Sequence, residues 1–175
     1  MTESVLSRGW VLTAAVAALA LSGCKKGDGQ PHGRETPSGL PVPRYVSLKF
    51  AEVNARGGPG DDYKLLWVYR AKGLPMQVIA ETQDWRRVCD PTGAAAWVKA
   101  TGIDGRRTVI RLKAEPLSLL DKPALGGKTT AILPSRAVAL VDRCDKGWCR
   151  LRGKGSGGWT PAAEVWGTGE QPQCR

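Results

Sequence analysis

Cysteine is the residue of this chain best suited to chemistry, and its five positions separate into two groups. Cys24 ends the tetrapeptide Leu-Ser-Gly-Cys, directly after an apolar run at 10–21. A run of 12 residues is too short to cross a bilayer as a helix, which takes about 20 residues. With Arg8 before it, the layout is typical of a secretory leader. Export to an oxidising compartment predicts disulfides among the other four cysteines.

Those four are Cys89, Cys144, Cys149 and Cys174. Cys144 and Cys149 bracket a turn-like tetrapeptide between two apolar strands. A four-residue hairpin loop would bring their side chains within disulfide range, so the sequence predicts a Cys144–Cys149 bridge. Cys89 and Cys174 are what remains, and the sequence leaves their pairing open.

The sequence lacks a catalytic or metal-binding constellation. Its single histidine, His32, falls in a linker, which argues against the usual Ser-His-Asp and Cys-His arrangements. The Cys-x4-Cys spacing is not a usual zinc spacing. Phosphate-binding and dinucleotide-binding glycine motifs are missing, as is His-Glu-x-x-His. We therefore expect no catalytic residues, no metal site and no cofactor.

Aromatic side chains beside basic ones are the candidates for binding. Tyr63, Trp67 and Tyr69 lie in or beside loops of the first half of the chain, with Lys64 and Arg70 as neighbours. Flat rings can stack on sugar faces or peptide prolines while cations meet carboxylates. Because these three aromatics have no counterpart in the second half, we predict that they form a ligand groove.

Four tryptophans recur at equivalent places in the two halves: Trp85, Trp97, Trp148 and Trp159. The two in each half stand 12 and 11 residues apart. From an apolar anchor to the first tryptophan is 32 residues in one half (53 to 85) and 31 in the other (117 to 148). This repeat indicates two copies of one small unit, and we expect the four rings to fill the two cores.

Short β-prone runs separated by turn residues must position these side chains. Strands of this length and spacing, without a sustained helical period, predict an all-β chain. The predicted organisation is a leader at 1–23, a flexible tether at 24–44, a first unit at 45–105, a second unit at 106–167 and a C-terminal tail at 168–175. Units this small have marginal cores, so a disulfide or a neighbouring unit is expected to help.

The formal net charge of +10 favours polyanions or anionic surfaces as partners. An exported protein rarely meets nucleic acid, so we expect no nucleic-acid partner. Anionic envelope polymers and lipid headgroups are the expected neighbours. A solvated basic surface without a particular partner is the alternative interpretation.

Two sets of residues resemble known families. Leu-Ser-Gly-Cys resembles the bacterial lipobox, which implies lipid attachment at Cys24; an ordinary signal peptide with an incidental cysteine is the alternative. Residues 45–166 resemble the double SH3-like proteins of the bacterial envelope. The motifs that carry this resemblance are Val53–Gly60, Leu66–Arg70, Gly73–Pro75, Asp84–Val88, Gly105–Thr108 and Cys144–Arg150.

The second resemblance implies two tandem small SH3-like five-stranded barrels, without intrinsic catalysis. It also implies binding of cell-wall or protein ligands. The chain departs from the family pattern in two places. Ala94-Ala95 stands where a glycine often precedes the closing Trp-Val, and the second unit lacks the Gly-Gly-Pro-Gly loop of the first.

Together these features predict a non-catalytic, lipid-anchored binding module of the cell envelope, facing the periplasm. Its ligand would be peptidoglycan or an envelope protein. The alternative is a structural adaptor that holds another envelope protein near the membrane and has no ligand groove of its own. A third hypothesis is a peptidase or amidase accessory that acts by targeting the catalytic domain of another chain. The sequence leaves open the choice between inner and outer membrane, and the oligomeric state.

Overall fold

The computed structural model describes residues 36–153 and 155–174. The predicted leader, the lipid site at Cys24 and His32 lie outside these residues. The regular structure in the described part is β, apart from two 3₁₀ turns at Ala100–Gly102 and Ala162–Glu164. The all-β prediction is therefore confirmed. The described part of the chain forms no helix long and apolar enough to span a membrane.

The first unit forms a sheet of seven strands, β1 (Arg44–Leu48), β2 (Val53–Arg56), β3 (Leu65–Tyr69), β4 (Pro75–Glu81), β5 (Trp85–Cys89), β6 (Ala95–Lys99) and β7 (Ile103–Asp104). They pair antiparallel in the order β3-β2-β6-β5-β4-β1-β7. Alternation of side chains positions the core: on β6, Ala96 and Val98 are buried while Lys99 is exposed.

The second unit forms a sheet of six strands, β8 (Thr108–Ile110), β9 (Leu117–Leu120), β10 (Thr129–Leu133), β11 (Val138–Asp145), β12 (Trp148–Arg152) and β13 (Gly157–Pro161). Their order is β10-β9-β13-β12-β11-β8. Strands β9 to β13 repeat the order of β2 to β6, so the predicted repeat is confirmed. Each five-strand set is extended, by β1 and β7 in the first unit and by β8 in the second.

The β11–β12 hairpin places Cys144 directly opposite Cys149, and the structure joins them by a disulfide. The connecting turn has two residues, Lys146 and Gly147, with φ of 45° and 79°. Two consecutive residues with positive φ are what a type I′ hairpin turn requires. The predicted loop of four residues is therefore a turn of two, because Asp145 and Trp148 pair as part of the strands.

Small and branched aliphatic side chains dominate the two cores. The first contains Val46, Leu48, Val53, Ala55, Tyr69, Met76, Val78, Val88, Ala96 and Val98. The second contains Val109, Leu119, Leu133, Ala139, Cys149, Leu151 and Val165.

None of the four tryptophans predicted to fill these cores belongs to either cluster. Trp85 is buried, whereas Trp97, Trp148 and Trp159 remain partly exposed. Strand alternation gives the reason. Trp97 lies between two inward-facing residues of β6, so its own ring is on the opposite face of the sheet.

The C-terminal tail packs back on the first unit. The side-chain amide of Gln77 donates to the carbonyl of Gln171 and accepts from the backbone N–H of Gln173, each at 2.8 Å. The structure also joins Cys174 to Cys89 on β5 by a disulfide. The pairing that the sequence left open is therefore present, and the tail connects the end of the second unit to the first.

The end of the predicted tether is also held against the first unit. Ser38 donates to Glu81 from its backbone N–H at 2.9 Å and from its hydroxyl at 2.5 Å. Arg44 and Arg86 contact the other carboxylate oxygen of Glu81, at 2.6 and 3.0 Å. Ser38 and Arg44, at the end of the segment 24–44 predicted as a flexible tether, therefore contact the first unit through Glu81.

Candidate functional site

Tyr69, one of the three predicted groove residues, belongs to the core of the first unit. Its ring is only 8% exposed, and its hydroxyl donates to Asp90 at 3.1 Å. Burial, reinforced by the negative charge of Asp90, raises the pKa of Tyr69 well above its ordinary value. Tyr69 is thus a satisfied core residue with no surface to offer a ligand.

The other two groove candidates lie in different surroundings. Trp67 packs edge-on against Tyr69, with ring centroids 5.8 Å apart, and is partly buried against the core. Tyr63 is about half exposed and covers Gly58 and Gly60, where its ring leaves no room for a Cβ at Gly58. The structure therefore brings Trp67 and Tyr69 together but leaves Tyr63 on a separate loop.

A different set of side chains converges in the first unit. Phe50, Arg56, Asp61, Trp85 and Lys99 line an open cavity of about 200 Å³, whose other lining residues are Glu52, Val53, Asn54, Thr101 and Gly102. We call the first five residues the zwitterionic cleft. Phe50 is half exposed and supplies an accessible aromatic surface, whereas Trp85 is nearly buried beside it.

The charged residues of the zwitterionic cleft are arranged around one carboxylate. Lys99 lies 2.6 Å from one oxygen of Asp61, and Arg56 lies 3.7 Å from the other. Arg56 is also held by donating to the carbonyl of Tyr63 at 2.8 Å. The Lys99 ammonium is 5.7 Å from the centroid of the Trp85 ring. Both cations are thus held around the Asp61 carboxylate, with Lys99 beside the Trp85 ring.

The second unit has apolar residues at the positions equivalent to Arg56 and Lys99. Arg56 pairs with Trp97 across the sheet, and the residue that pairs with Trp159 in the same way is Leu120. Lys99 pairs with Trp85, and its counterpart opposite Trp148 is Pro161. The two cations of the cleft therefore belong to the first unit and are not repeated at these positions of the second.

Phe50, Arg56, Asp61 and Lys99 are not among the candidate residues that the sequence indicated. The available signal was the alignment of the two units, in which cations of the first unit stand opposite apolar residues of the second. Chain neighbours alone do not show it, because Phe50 and Lys99 line one cavity only in the folded chain.

A model of the bacterial SH3 domain matches the chain at residues 49–105 and 113–167, which is more than half of its length. The chain belongs to the bacterial SH3 domain family. Bacterial SH3 domains commonly bind cell-wall components. Two disulfides in such a protein are typical of an exported, cell-envelope protein.

Two solved structures are similar to the tandem SH3 units only in part. NlpC1 and NlpC2 from Trichomonas vaginalis are each 11% identical to the chain, with TM-scores of 0.33. The alignments cover 71% of this chain and 46% and 48% of those structures, so the chain spans about half of their length. Among curated proteins, no match to the sequence is found.

The SH3 units offer no metal-binding cluster within residues 36–153 and 155–174, since no three His, Cys, Asp or Glu side chains there could hold an ion together. Two of the described acids are paired with cations, Asp61 with Lys99 and Glu164 with Arg111 and Lys113. The pKa of Glu164 is lowered by hydrogen bonds from these two cations. A general acid needs a raised carboxyl pKa, so Glu164 is unsuited to that role.

Proposed function

We propose that the chain is a non-catalytic, lipid-anchored binding module of the cell envelope, and that its first SH3 unit binds peptidoglycan through the zwitterionic cleft. The observation that carries the proposal is the pair of cations held around Asp61 next to the exposed ring of Phe50. Peptide stems of the cell wall present carboxylates and amines on a compact backbone. A stem carboxylate would take the place of Asp61 on Lys99 and Arg56.

Retention on purified sacculi tests this proposal. We expect Lys99→Gln and the double variant Arg56→Gln/Lys99→Gln to lose retention progressively, at least tenfold for the double variant, because charged hydrogen bonds to a carboxylate are removed. Lys122→Gln/Lys128→Gln is the matched control, since it removes two exposed cations from the second unit. Thermal unfolding checks that Arg56→Gln, which also loses the contact to Tyr63, remains folded.

Two results would contradict the cell-wall ligand. One is unchanged retention of the folded double variant, and the other is equal loss in the control variant. The second would indicate attraction by overall charge, which falls with salt for any cationic surface.

The structural adaptor remains the second candidate, supported by the way the tail joins the two units. The amide of Gln77 and the Cys89–Cys174 disulfide fix residues 171–174 to the first unit. A tail that links the end of the second unit to the first suits a protein that holds a partner in place. Crosslinking in cells separates the candidates, because a single dominant protein partner that persists after wall digestion favours the adaptor.

We further propose that Cys24 carries the lipid and that the SH3 units face the periplasm. The sequence Leu-Ser-Gly-Cys after the apolar run supports this. We expect Cys24→Ala to abolish incorporation of a fatty-acid analogue and to release the protein from membranes. Undiminished labelling of Cys24→Ala would rule out this attachment site.

A further inference from the structure

The outer face of the second unit carries a row of arginines and one tryptophan. Arg143 on β11 lies directly opposite Arg150 on β12, and Arg150 lies directly opposite Trp159 on β13. Arg152 follows two residues further along β12 and, by strand alternation, points to the same face. We call these four residues the arginine face. The alternating residues Cys149 and Leu151 are fully buried, which confirms the orientation.

The cations of the arginine face are poorly neutralised within the chain. Like charges directly opposite one another across a sheet are destabilising, and Arg143 and Arg150 form such a pair. Asp142 lies 3.0 Å from Arg152 but 4.0 Å from Arg150. Among the described residues, no carboxylate forms an ion pair with Arg143. A multivalent anion is therefore the partner that would relieve this repulsion.

An aromatic surface lies within reach of the same guanidinium groups. The guanidinium carbon of Arg143 is 5.1 Å from the centroid of the Trp159 ring, which is partly exposed. Stacking and charge pairing are thus available at one place. Sugar rings that carry carboxylates match this combination, because the ring contacts indole while the carboxylate accepts from arginine.

The corresponding row of the first unit lacks this combination. Ala80 stands opposite Arg87, and Arg87 stands opposite Trp97, so Ala80 takes the place of Arg143. Arg56, on the other side of Trp97, is held by Tyr63 and Asp61. The fold therefore does not require an arginine at position 143.

We propose that the arginine face of the second unit binds an anionic glycan, in which sugar rings bear carboxylates. The carboxylate is held between Arg143 and Arg150, and the sugar ring packs at Trp159. This site is separate from the zwitterionic cleft, so it stands or falls independently of the proposed function. It gives the second SH3 unit a ligand of its own.

Titration of the full chain in detergent with tetragalacturonate, followed by tryptophan fluorescence and calorimetry, tests the site. We expect saturable binding that Arg143→Gln/Arg150→Gln weakens at least tenfold. Lys64→Gln/Lys122→Gln removes the same number of exposed charges elsewhere and is expected to change affinity less than twofold. Neutral cellotetraose is expected not to bind, because it lacks the carboxylates.

Trp159→Leu tests the aromatic contribution and is expected to weaken tetragalacturonate binding while polyphosphate binding stays unchanged. If Trp159→Leu fails to fold, Trp159→Phe replaces it, with binding retained because the aromatic face is kept. Three outcomes would overturn the proposal: absence of tetragalacturonate binding, equal weakening by the control pair, or tetragalacturonate binding that is no tighter than polyphosphate binding and does not change in Trp159→Leu. The last would show charge attraction without glycan recognition.

Discussion

In the first unit Glu81 lies opposite Arg86 near the end of the β4–β5 hairpin, whereas in the second unit Cys144 lies opposite Cys149 at the same place of the β11–β12 hairpin. The first pair is an ion pair at 3.0 Å, and the second is a disulfide. Both copies therefore fasten this hairpin between equivalent positions. The repeat preserves the cross-strand link but not its chemistry.

The difference gives the two units different sensitivities. Glu81 is fully buried and is contacted by Ser38, Arg44 and Arg86. Its stabilising effect depends on ionisation and hence on pH. The Cys144–Cys149 link depends on redox state and is insensitive to mild acid. Two copies of one fold thus resist different chemical challenges.

Removal of the tail disulfide is expected to give the largest loss of stability. Cys89 and Cys174 are 85 residues apart, so their bond restricts the unfolded chain strongly. Cys89→Ser/Cys174→Ser is expected to lower the free energy of unfolding by about 4 kcal/mol. Urea unfolding under oxidising conditions measures this. A loss no greater than that from removing the hairpin disulfide would show that loop length does not decide which disulfide stabilises the protein more.

Glu81→Gln is expected to rank second. It leaves Arg44 and Arg86 partly buried without their counter-charge, which we expect to cost about 3 kcal/mol. Urea unfolding at neutral pH measures the loss. The matched comparison is Arg70→Gln, described below, whose ion pair has nearly the same length. Equal effects of the two variants would contradict the role assigned to burial.

The acid dependence of stability also tests the contribution of the ionised Glu81 carboxylate. Burial by itself would raise the pKa of Glu81, but hydrogen bonds from Ser38 and Arg44 outweigh it and lower the pKa to about 2. Because the ordinary value is 4.5, the stabilisation is complete above pH 4.5 and is lost as the pH falls towards 2. We expect Glu81→Gln to have a shallower loss of stability over this interval. If the free energy of unfolding fell equally with pH in both proteins, ionisation of Glu81 would not be the cause of the acid dependence.

Removal of the hairpin disulfide is expected to have a smaller effect. Cys144 and Cys149 are five residues apart, so Cys144→Ser/Cys149→Ser is expected to cost about 2 kcal/mol. Part of this loss comes from a polar group at position 149, since Cys149 is fully buried. Cys149→Ala with Cys144→Ala separates the two contributions. Reductant is expected to lower the free energy of unfolding more in the wild type than in this alanine variant, because the variant has no hairpin disulfide to lose.

The smallest effect is expected from Arg70→Gln. Arg70 lies 3.1 Å from Glu52, but the two side chains are 67% and 65% exposed. An exposed pair contributes about 0.5 kcal/mol or less because water and salt screen it. Thermal unfolding at low and high salt measures this difference. A loss comparable to that of Glu81→Gln would mean that burial does not distinguish the two ion pairs.

Much of the architecture was predictable because it rests on local patterns. Turn residues between short apolar runs indicated the strands, and the spacing of Trp85 and Trp148 from their anchors indicated the repeat. The Cys144–Cys149 pair follows from hairpin geometry across a few residues. The site was less predictable, because the cleft joins residues from position 50 to position 99 that no local pattern connects.

By itself, the sequence determined the class of the fold, the two copies and the side-chain types available for binding. Tertiary structure alone decided that Tyr69 is a core residue, that Trp97 and Trp159 lie on the outer faces, and that Gln77 holds the tail. The physical reason is that alternation within a strand is local, whereas burial depends on which face meets another segment. The contacts of Gln77 with Gln171 and Gln173 span more than 90 residues, and only the folded chain brings them together.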